Sequence, residues 1–570
     1  MSQQRTHFLQ VEAVNIYATL FDTGQLSVIR GGSFLLALAM SKIPEKFRED
    51  LERLSSGASV GLYRIKGQAV PATIEGRVVD WLRDHPRFGL FTFVVARCAA
   101  ADLQTAKAVL AAKVRREQLR QLTGVPDRVA GAAARRPCAL TGKRSCVPGQ
   151  DAPRQLGDQR CSLSTSVARR WQQGEELKTG IYLRTLAAVT TITPQRLERI
   201  AGVGYAPDLE CLADSPSFRC LNHKMAVIYL DGNGFGAIQR RHVKTPADQI
   251  AFDDRIQGYR AEFLATLLEA LIDCRIARVP LLETHCAPGQ NPGVALRLET
   301  LLWGGDEMTL VVPAWLGFDV LQLFYHCAAN WCFKEPLTHA GGIVFCHAHT
   351  PIARMRQLAQ TLADDVKAWM QESHSQGNFF DYMVLESIDY PVEASLQPFW
   401  AHRYGGVAAR RTPLRPPADW FGAGRAAAGR LLGGEGLGRG QVFRLARRIA
   451  GTPPDGVDLD LFGGGVGALP GATAWPESLD RDPATHSAFE RMEQRLLALA
   501  QEQRPEADPG ATVQPLPTVI EDLQYFAGEL GIRVDDPADR TWLWLHLTEL
   551  WDYLVPERDW RAAAASEAAP

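Results

Sequence analysis

Between residues 222 and 392 the apolar positions switch repeatedly between two periods. MAVIYL is an unbroken apolar run of strand length that ends at Asp231. From about Asp248 to Cys274, Ile256, Tyr259, Phe263, Leu267 and Leu271 recur every three or four residues, one face of an amphipathic helix. VALRLETLLW and MTLVVPA predict two strands joined by the turn Gly304-Gly305-Asp306-Glu307. A second helix is expected over about Trp315 to Phe333, then a strand, AGGIVFCHAH. Pro351, a good first-turn residue, opens a third helix with Met355, Leu358, Leu362, Val366 and Trp369 inward, and FFDYMVLESID is a last strand. This order predicts an α+β, ferredoxin-like palm: an antiparallel sheet with helices on one face.

A softer version of the pattern occupies the start of the chain. HFLQVEAVNIY, SVGLYRIKG and FGLFTFVVA read as strands, Ile29 to Met40 as a helix behind a Gly-Gly turn, and Asp102 to Leu122 as a helix. Residues 124–165 are rich in Gly, Pro, Arg and Gln and read as a connector, followed by a helix over 180–202. Residues 403–485 mix short helices with Gly/Pro/Ala/Arg linkers, and 486–503 and 516–553 read as helices. The expected units are 1–122, a degenerate first palm; 123–221, a connector; 222–392, a catalytic palm; 393–485, a linker region; and 486–570, a helical C-terminal region.

Composition narrows the picture only slightly. The chain has 570 residues and a net charge of −2, so any nucleic-acid-binding surface must be local. No secretion signal and no apolar run of ~18 residues is visible, which points to a cytoplasmic protein without a membrane span. Eleven cysteines then imply reduced thiols. Cys138, Cys146, Cys161, Cys211 and Cys220 are the group to test for structural zinc, although they contain no CxxC pair.

The chemistry concentrates in two short segments. Asp231 ends a strand in YLDGNGFG, and Asp306 and Glu307 sit in the hairpin LLWGGDEMTLVV. In this topology the two strands are neighbours, ~4.8 Å apart, so the carboxylates can meet. Carboxylates gathered in a half-buried place repel one another unless a cation joins them. Mg2+ or Mn2+ held by Asp231, Asp306 and Glu307 satisfies that need, with substrate phosphates as further ligands. Gly232, Gly234 and Gly236 permit close backbone approach to a triphosphate, with Asn233 and Phe235 in the same loop; Gly304 and Gly305 open the turn.

These segments resemble a known family. IYLDGNGFG, WGGDEM, and GIVFCHAHTPIARMRQLAQTLADDVK followed by NFFDYMVLES look like the second palm of the large subunit of type III CRISPR effectors. FLQVEAVNIYATLFDTGQLSVIRGGSFLLALA is similar to that family's first palm, which lacks the catalytic acids. The resemblance implies synthesis of cyclic oligoadenylates from ATP, in antiviral defence. It implies metal ligation by Asp231, Asp306 and Glu307, and phosphate contact by Lys367. It puts Arg30 to Ser33 opposite a second nucleotide. The family has Asp-Asp where this chain has Asp306-Glu307, as diguanylate cyclases do. It usually carries an HD nuclease domain, whereas this sequence has no His-Asp dipeptide, so HD-type DNA cleavage is not expected.

Two other functions compete with nucleotidyl transfer. The chain could be a scaffold subunit that binds guide or target RNA and other CRISPR-type subunits through the arginines of 115–160 and 403–448. A diguanylate cyclase fits poorly. Gln239 stands where those enzymes carry a guanine-reading Asn, and Gly236 replaces a signature lysine. His347 and His349 are expected at a strand end beside the site, as structural groups or base contacts.

Overall fold

The computed structural model describes residues 5–67, 70–120, 137–142, 144–146, 154–156, 159–280, 294–386, 391, 395–404, 408, 411–433, 436–450, 483–503 and 517–556. The first unit runs β1 (Thr6–Val14), α1 (Leu26–Lys46), β2 (Leu51–Ser56), β3 (Val60–Ile65), α2 (Pro71–Asp84), β4 (Thr92–Ala100) and α3 (Leu103–Arg120). Its sheet is antiparallel, in the order β2-β3-β1-β4. That is the ferredoxin-like arrangement. Helices α4 (Thr165–Ala187) and α5 (Pro194–Ala201) lead to the second unit.

The second unit repeats the order. It comprises β5 (Lys224–Gly232), the short α6 (Phe235–His242), α7 (Pro246–Asp273), β6 (Glu299–Gly304), β7 (Glu307–Pro313), α8 (Ala314–Ala328) and β8 (His339–His347). Then α9 (Ile352–Glu372) and β9 (Phe379–Val384) extend it. The strands lie in the order β6-β7-β5-β8-β9, antiparallel throughout except that β9 runs parallel to β8. The fold is thus α+β with antiparallel sheets, and the strand and helix positions match the apolar pattern. Helix α7 starts where the sequence says it must: Thr245 and Asp248 form a reciprocal capping box and Pro246 sits in the first turn.

Two glycines on β8 explain how both faces of this sheet are covered. Neighbouring strand residues point to opposite faces. A side chain at Gly341 would meet the Tyr325 hydroxyl of α8, and one at Gly342 would meet the Ala359 carbonyl of α9 at 1.9 Å. Helix α8 therefore lies on one face, with α7 beside it through the Phe263–Phe324 edge contact. Helix α9, part of the added α9-β9 extension, lies on the other.

The two units face each other through equivalent elements. Helix α1 of the first packs on β6 of the second, and α7 of the second packs on β2 of the first. This reciprocity is that of an isologous interface built within one chain. Arg53 on β2 binds Asp253 at 2.7 Å and Asp254 at 2.5 Å on α7. The β2–β3 hairpin lies against the β6–β7 turn so closely that a Cβ at Gly304 would fall 1.9 Å from that of Ala58. Gly304→Ala is therefore expected to cost about 1–3 kcal/mol by overpacking. Adding Ala58→Gly should return part of that loss in urea denaturation.

Two expectations about the first unit and the connector change. Gly31 and Gly32 lie inside α1, not in a turn before it. A side chain at Gly31 would fall 1.9 Å from the Arg170 carbonyl, and one at Gly174 would fall 1.8 Å from the Ser27 carbonyl. These glycines let α1 and α4 touch backbone to backbone. The expected single helix over 180–202 is two helices, because Thr193 caps a new one at Pro194. Helix α1 spans 21 residues, and by length and composition it could cross a membrane. Here 67 % of its apolar window is buried within the protein.

The C-terminal region contains α10 (Gln397–Tyr404), α11 (Arg425–Leu432), α12 (Arg439–Ala450), α13 (Pro483–Glu502), α14 (Val519–Glu529) and α15 (Pro537–Leu554). Helix α15 packs on α8 and α12 and buries Trp542, Trp544, Leu545, Leu550 and Trp551. Much of the expected linker, residues 451–482, lies outside the described residues.

Candidate active site

Strand β5 is buried along its length and carries Asp231 to its C-terminal end. Its neighbour β7 begins at Glu307 and pairs Met308 with Leu230, so Glu307 comes level with Asp231. Gly305 takes φ +55 in the turn, with open space where a side chain would stand. Asp306 follows it. The acids feel one another. Burial raises the Asp306 carboxyl above the usual carboxylate range, and the negative charge of Asp231 adds to the shift. Burial raises Glu307 as well, followed by Asp231 and Asp306.

Helix α9 closes the site from the face that Asp231 and Tyr229 share. Lys367 Nζ binds Asp231 Oδ2 at 2.6 Å and the Gly232 carbonyl at 2.9 Å. One turn earlier, Asp364 is raised by burial and then by Asp231. Arg356 lies between the rings of Phe21 and Tyr229, at 4.7 and 5.6 Å, and its charge favours the ionised form of Glu307. From the other unit-facing side, Arg260 of α7 lies over the Trp303 ring at 4.8 Å. Burial lowers the Arg260 pKa to about 10, with Asp306 and Asp253 opposing the shift. Around Asp231 the site thus places Asp306, Glu307 and Asp364, with Lys367, Arg356 and Arg260 among them.

No protein-family model and no curated protein matches the chain. Solved structures do. The chain is similar in fold to Csm1, the subunit solved in Csm1-Csm4 cassettes. The cassette in complex with one ATP aligns at 14 % identity and TM-score 0.42, over 88 % of this chain and 70 % of that one. The cassette in complex with AMPPNP aligns at 14 % identity and TM-score 0.39, over 65 % of this chain. It is matched over 54 % of its own length, so this chain spans about half of it. Csm1 of T.onnurineus aligns at 14 % identity and TM-score 0.37, over 66 % and 52 % of the two chains. At these identities the likeness is one of fold.

The remaining predicted residues divide sharply. Asn233 is spent on the loop itself, donating to Thr338 Oγ1 at 3.2 Å and the Gly377 carbonyl at 3.3 Å. The ring of Phe235 is buried beneath the loop against Phe252 and His339, and it fills the space over Gly232. Gly234 has φ +65 at the start of α6, a conformation that glycine permits. A side chain at Gly236 would meet the Arg240 guanidinium at 3.6 Å. Gly304 makes room for Ala58, not for a substrate.

Four predicted residues stand elsewhere in the structure. Arg30 is buried in α1 and bound to Glu299 on β6, to the Gly174 carbonyl and to Ser27. It joins the two units, and Ser33 is buried in the same helix. Neither joins the acid cluster. His347 pairs with Lys224 at the start of β5, whereas His339 pairs with Gly232 beside Asp231. Eight residues of strand separate His339 from His347, roughly 25 Å at ~3.3 Å per residue. His347 and His349 therefore stand at the opposite end of the sheet, near His223.

Sequence reading missed Asp364, Arg356, Tyr229 and Arg260. Asp364 had a usable signal: it precedes Lys367 by three residues and so shares its helix face. Some of the arginines expected to meet RNA have partners within the protein. Arg403, Arg411, Arg425, Arg430 and Arg439 each bind a carboxylate. Residues 121–136 lie outside the described residues.

Among the described residues, no three His, Cys, Asp or Glu side chains come together as a metal-binding set. Cys138 and Cys146 line a small apolar cluster with Val28, Leu163 and Val167. The acid cluster suits a hard divalent cation in its donor chemistry. Mg2+ is commonly held by one or two carboxylates, with substrate phosphates as its remaining ligands. The raised carboxyls of Asp306 and Glu307 are groups that such a charge would relieve.

Proposed function

We propose that the chain is a metal-dependent nucleotidyltransferase that joins NTPs, ATP first among them, into a cyclic or linear oligonucleotide messenger for antiviral defence. In this reading it works in the cytoplasm with type III CRISPR-like subunits. The supporting observation is the meeting of Asp231, Asp306 and Glu307 at one sheet end, opposite Lys367. Asp231 and Asp306 would hold Mg2+ or Mn2+, with Glu307 assisting. A bound divalent cation supplies a lowered hydroxyl pKa for attack and neutralises the leaving pyrophosphate.

The chain's own residues would do the positioning. Gly305 leaves the turn open to a nucleotide. Lys367, now on Asp231, can exchange that carboxylate for a phosphate oxygen with little movement. Buried Arg260 and Arg356 limit the charge that the acids accumulate. The deciding experiment incubates the protein with each labelled NTP and Mg2+ or Mn2+, with and without RNA, and identifies products by mass spectrometry. Lys367→Met is expected to raise KM for the nucleotide by about 10–100-fold, the 1.5–3 kcal/mol of a charged hydrogen bond. A variant whose KM is unchanged would remove Lys367 from the phosphate site.

One observation favours a second reading, a palm kept as a non-catalytic scaffold. Lys367 already neutralises Asp231, and no three-ligand set is assembled among the described residues. Absence of product with every NTP and every activator would select that reading.

A further inference from the structure

The first unit carries a groove that shares no residue with the acid cluster. It encloses about 490 Å³ between the C-terminal half of α1 and the end of α2. Leu38 and Phe88 line it, and Trp81 and His85 stand half-buried on its wall. The rings are held from behind. His85 stacks on Phe88 with centroids 4.0 Å apart and planes at 14°. Trp81 meets Phe47 edge-on at 5.9 Å and Phe88 at 5.4 Å. Their orientation is therefore fixed while part of each ring remains accessible.

The rim is cationic. Lys42, Lys46 and Arg87 are exposed around the rings, and Glu45 is the one lining carboxylate. Glu45 binds Lys42 at 2.5 Å. Lys46 and Arg87 have no carboxylate partner among the described residues, so both charges face solvent uncompensated. Flat rings bordered by uncompensated cations match a ligand that is itself a flat ring next to an anion. A duplex hides its base faces within the stack, and an acidic peptide offers carboxylates without rings. Single-stranded nucleic acid offers both, and base–aromatic stacking contributes ~1–3 kcal/mol per base.

We propose that this groove binds single-stranded nucleic acid, with bases stacked separately on Trp81 and on His85, whose planes lie 63° apart, and phosphates held by Lys46 and Arg87. The site stands independently of the catalytic reading, since it needs neither the metal nor the acids.

The test titrates the full chain into fluorescein-labelled twelve-nucleotide oligouridine, as RNA and as oligodeoxyuridine, between 50 and 200 mM salt. Lys46→Glu with Arg87→Glu changes only exposed side chains, so the fold is retained. The double variant is expected to bind at least tenfold more weakly. Its salt slope should fall by about 1.4, the value for two single-strand phosphate contacts. A 4-thiouridine probe should cross-link to the peptide holding Trp81, His85 and Phe88. Binding of either strand type with that map supports the groove. Unchanged affinity in the double variant overturns it, as do cross-links confined to other segments or equal competition by polyglutamate.

Discussion

Asp306→Asn is expected to lower nucleotidyl transfer about a thousandfold or more, and yet to raise the melting temperature of the metal-free chain. The activity loss follows from removing one carboxylate of the proposed metal pair, a change of ~4 kcal/mol in barrier at tenfold per 1.4 kcal/mol. The stability gain follows from the sign of the titration shift. Asp306 and Glu307 are both raised in the folded state, chiefly by burial and then by neighbouring acids. The folded chain therefore binds these protons more tightly than the unfolded chain does. Stability falls as pH climbs from the ordinary carboxylate range through the raised values, and the whole penalty is present above them. Asparagine removes one charge and relieves its neighbours. Mg2+ should raise the melting temperature of the natural chain and have a smaller effect on the variant. A variant that still makes product at the natural rate would exclude this site.

The palm topology was readable because its signals are local and strong. The strand before Asp231 is uniformly apolar, and the helix after Thr245 has both its cap and its period. Two repeats of one strand order follow from such segments once a hairpin is fixed between each pair. The acids Asp231, Asp306 and Glu307 were legible because strand ends and turns sit at predictable places in that order. Long-range choices were not. Arg30 has the same sequence appearance whether it faces a nucleotide or Glu299, because its partner lies 269 residues away. Gly31 and Gly304 look like turn residues. Their role is set by Arg170 and Ala58, which approach from other elements. His347 was misplaced for a simpler reason. Both ends of β8 carry histidine, and only the antiparallel register with β5 says which end meets Asp231.

Arg411→Met is expected to destabilise the chain by about 3–5 kcal/mol and to loosen α15 from the palm. Arg411 is enclosed by Trp400, Tyr382 and Trp542, with ring centroids at 4.3, 5.2 and 5.8 Å. It binds the buried carboxylate of Asp381 on β9 and donates to the Tyr382 carbonyl at 3.0 Å. Tyr382 continues the network, with its hydroxyl 2.7 Å from His546 Nδ1 and 3.0 Å from Glu549 on α15. Arg403 holds Glu549 at 2.7 Å. Methionine fills similar volume but leaves Asp381 charged, buried and without its cation, and that unpaired charge is the source of the cost. Adding Asp381→Asn should return much of the loss, because a buried pair replaced as a whole is often near neutral. Acid should narrow the single variant's deficit, since protonation of Asp381 removes the unpaired charge. The effect should also reach the active site. Asp365, beside Asp364 on α9, is pushed up to about 6 by burial and then by Asp381 and Asp364. Guanidinium denaturation, with hydrogen exchange across α15 and α9, measures both effects. A deficit under 1 kcal/mol, or one that Asp381→Asn deepens, would mean that the ion pair does not hold the C-terminal helices to the palm.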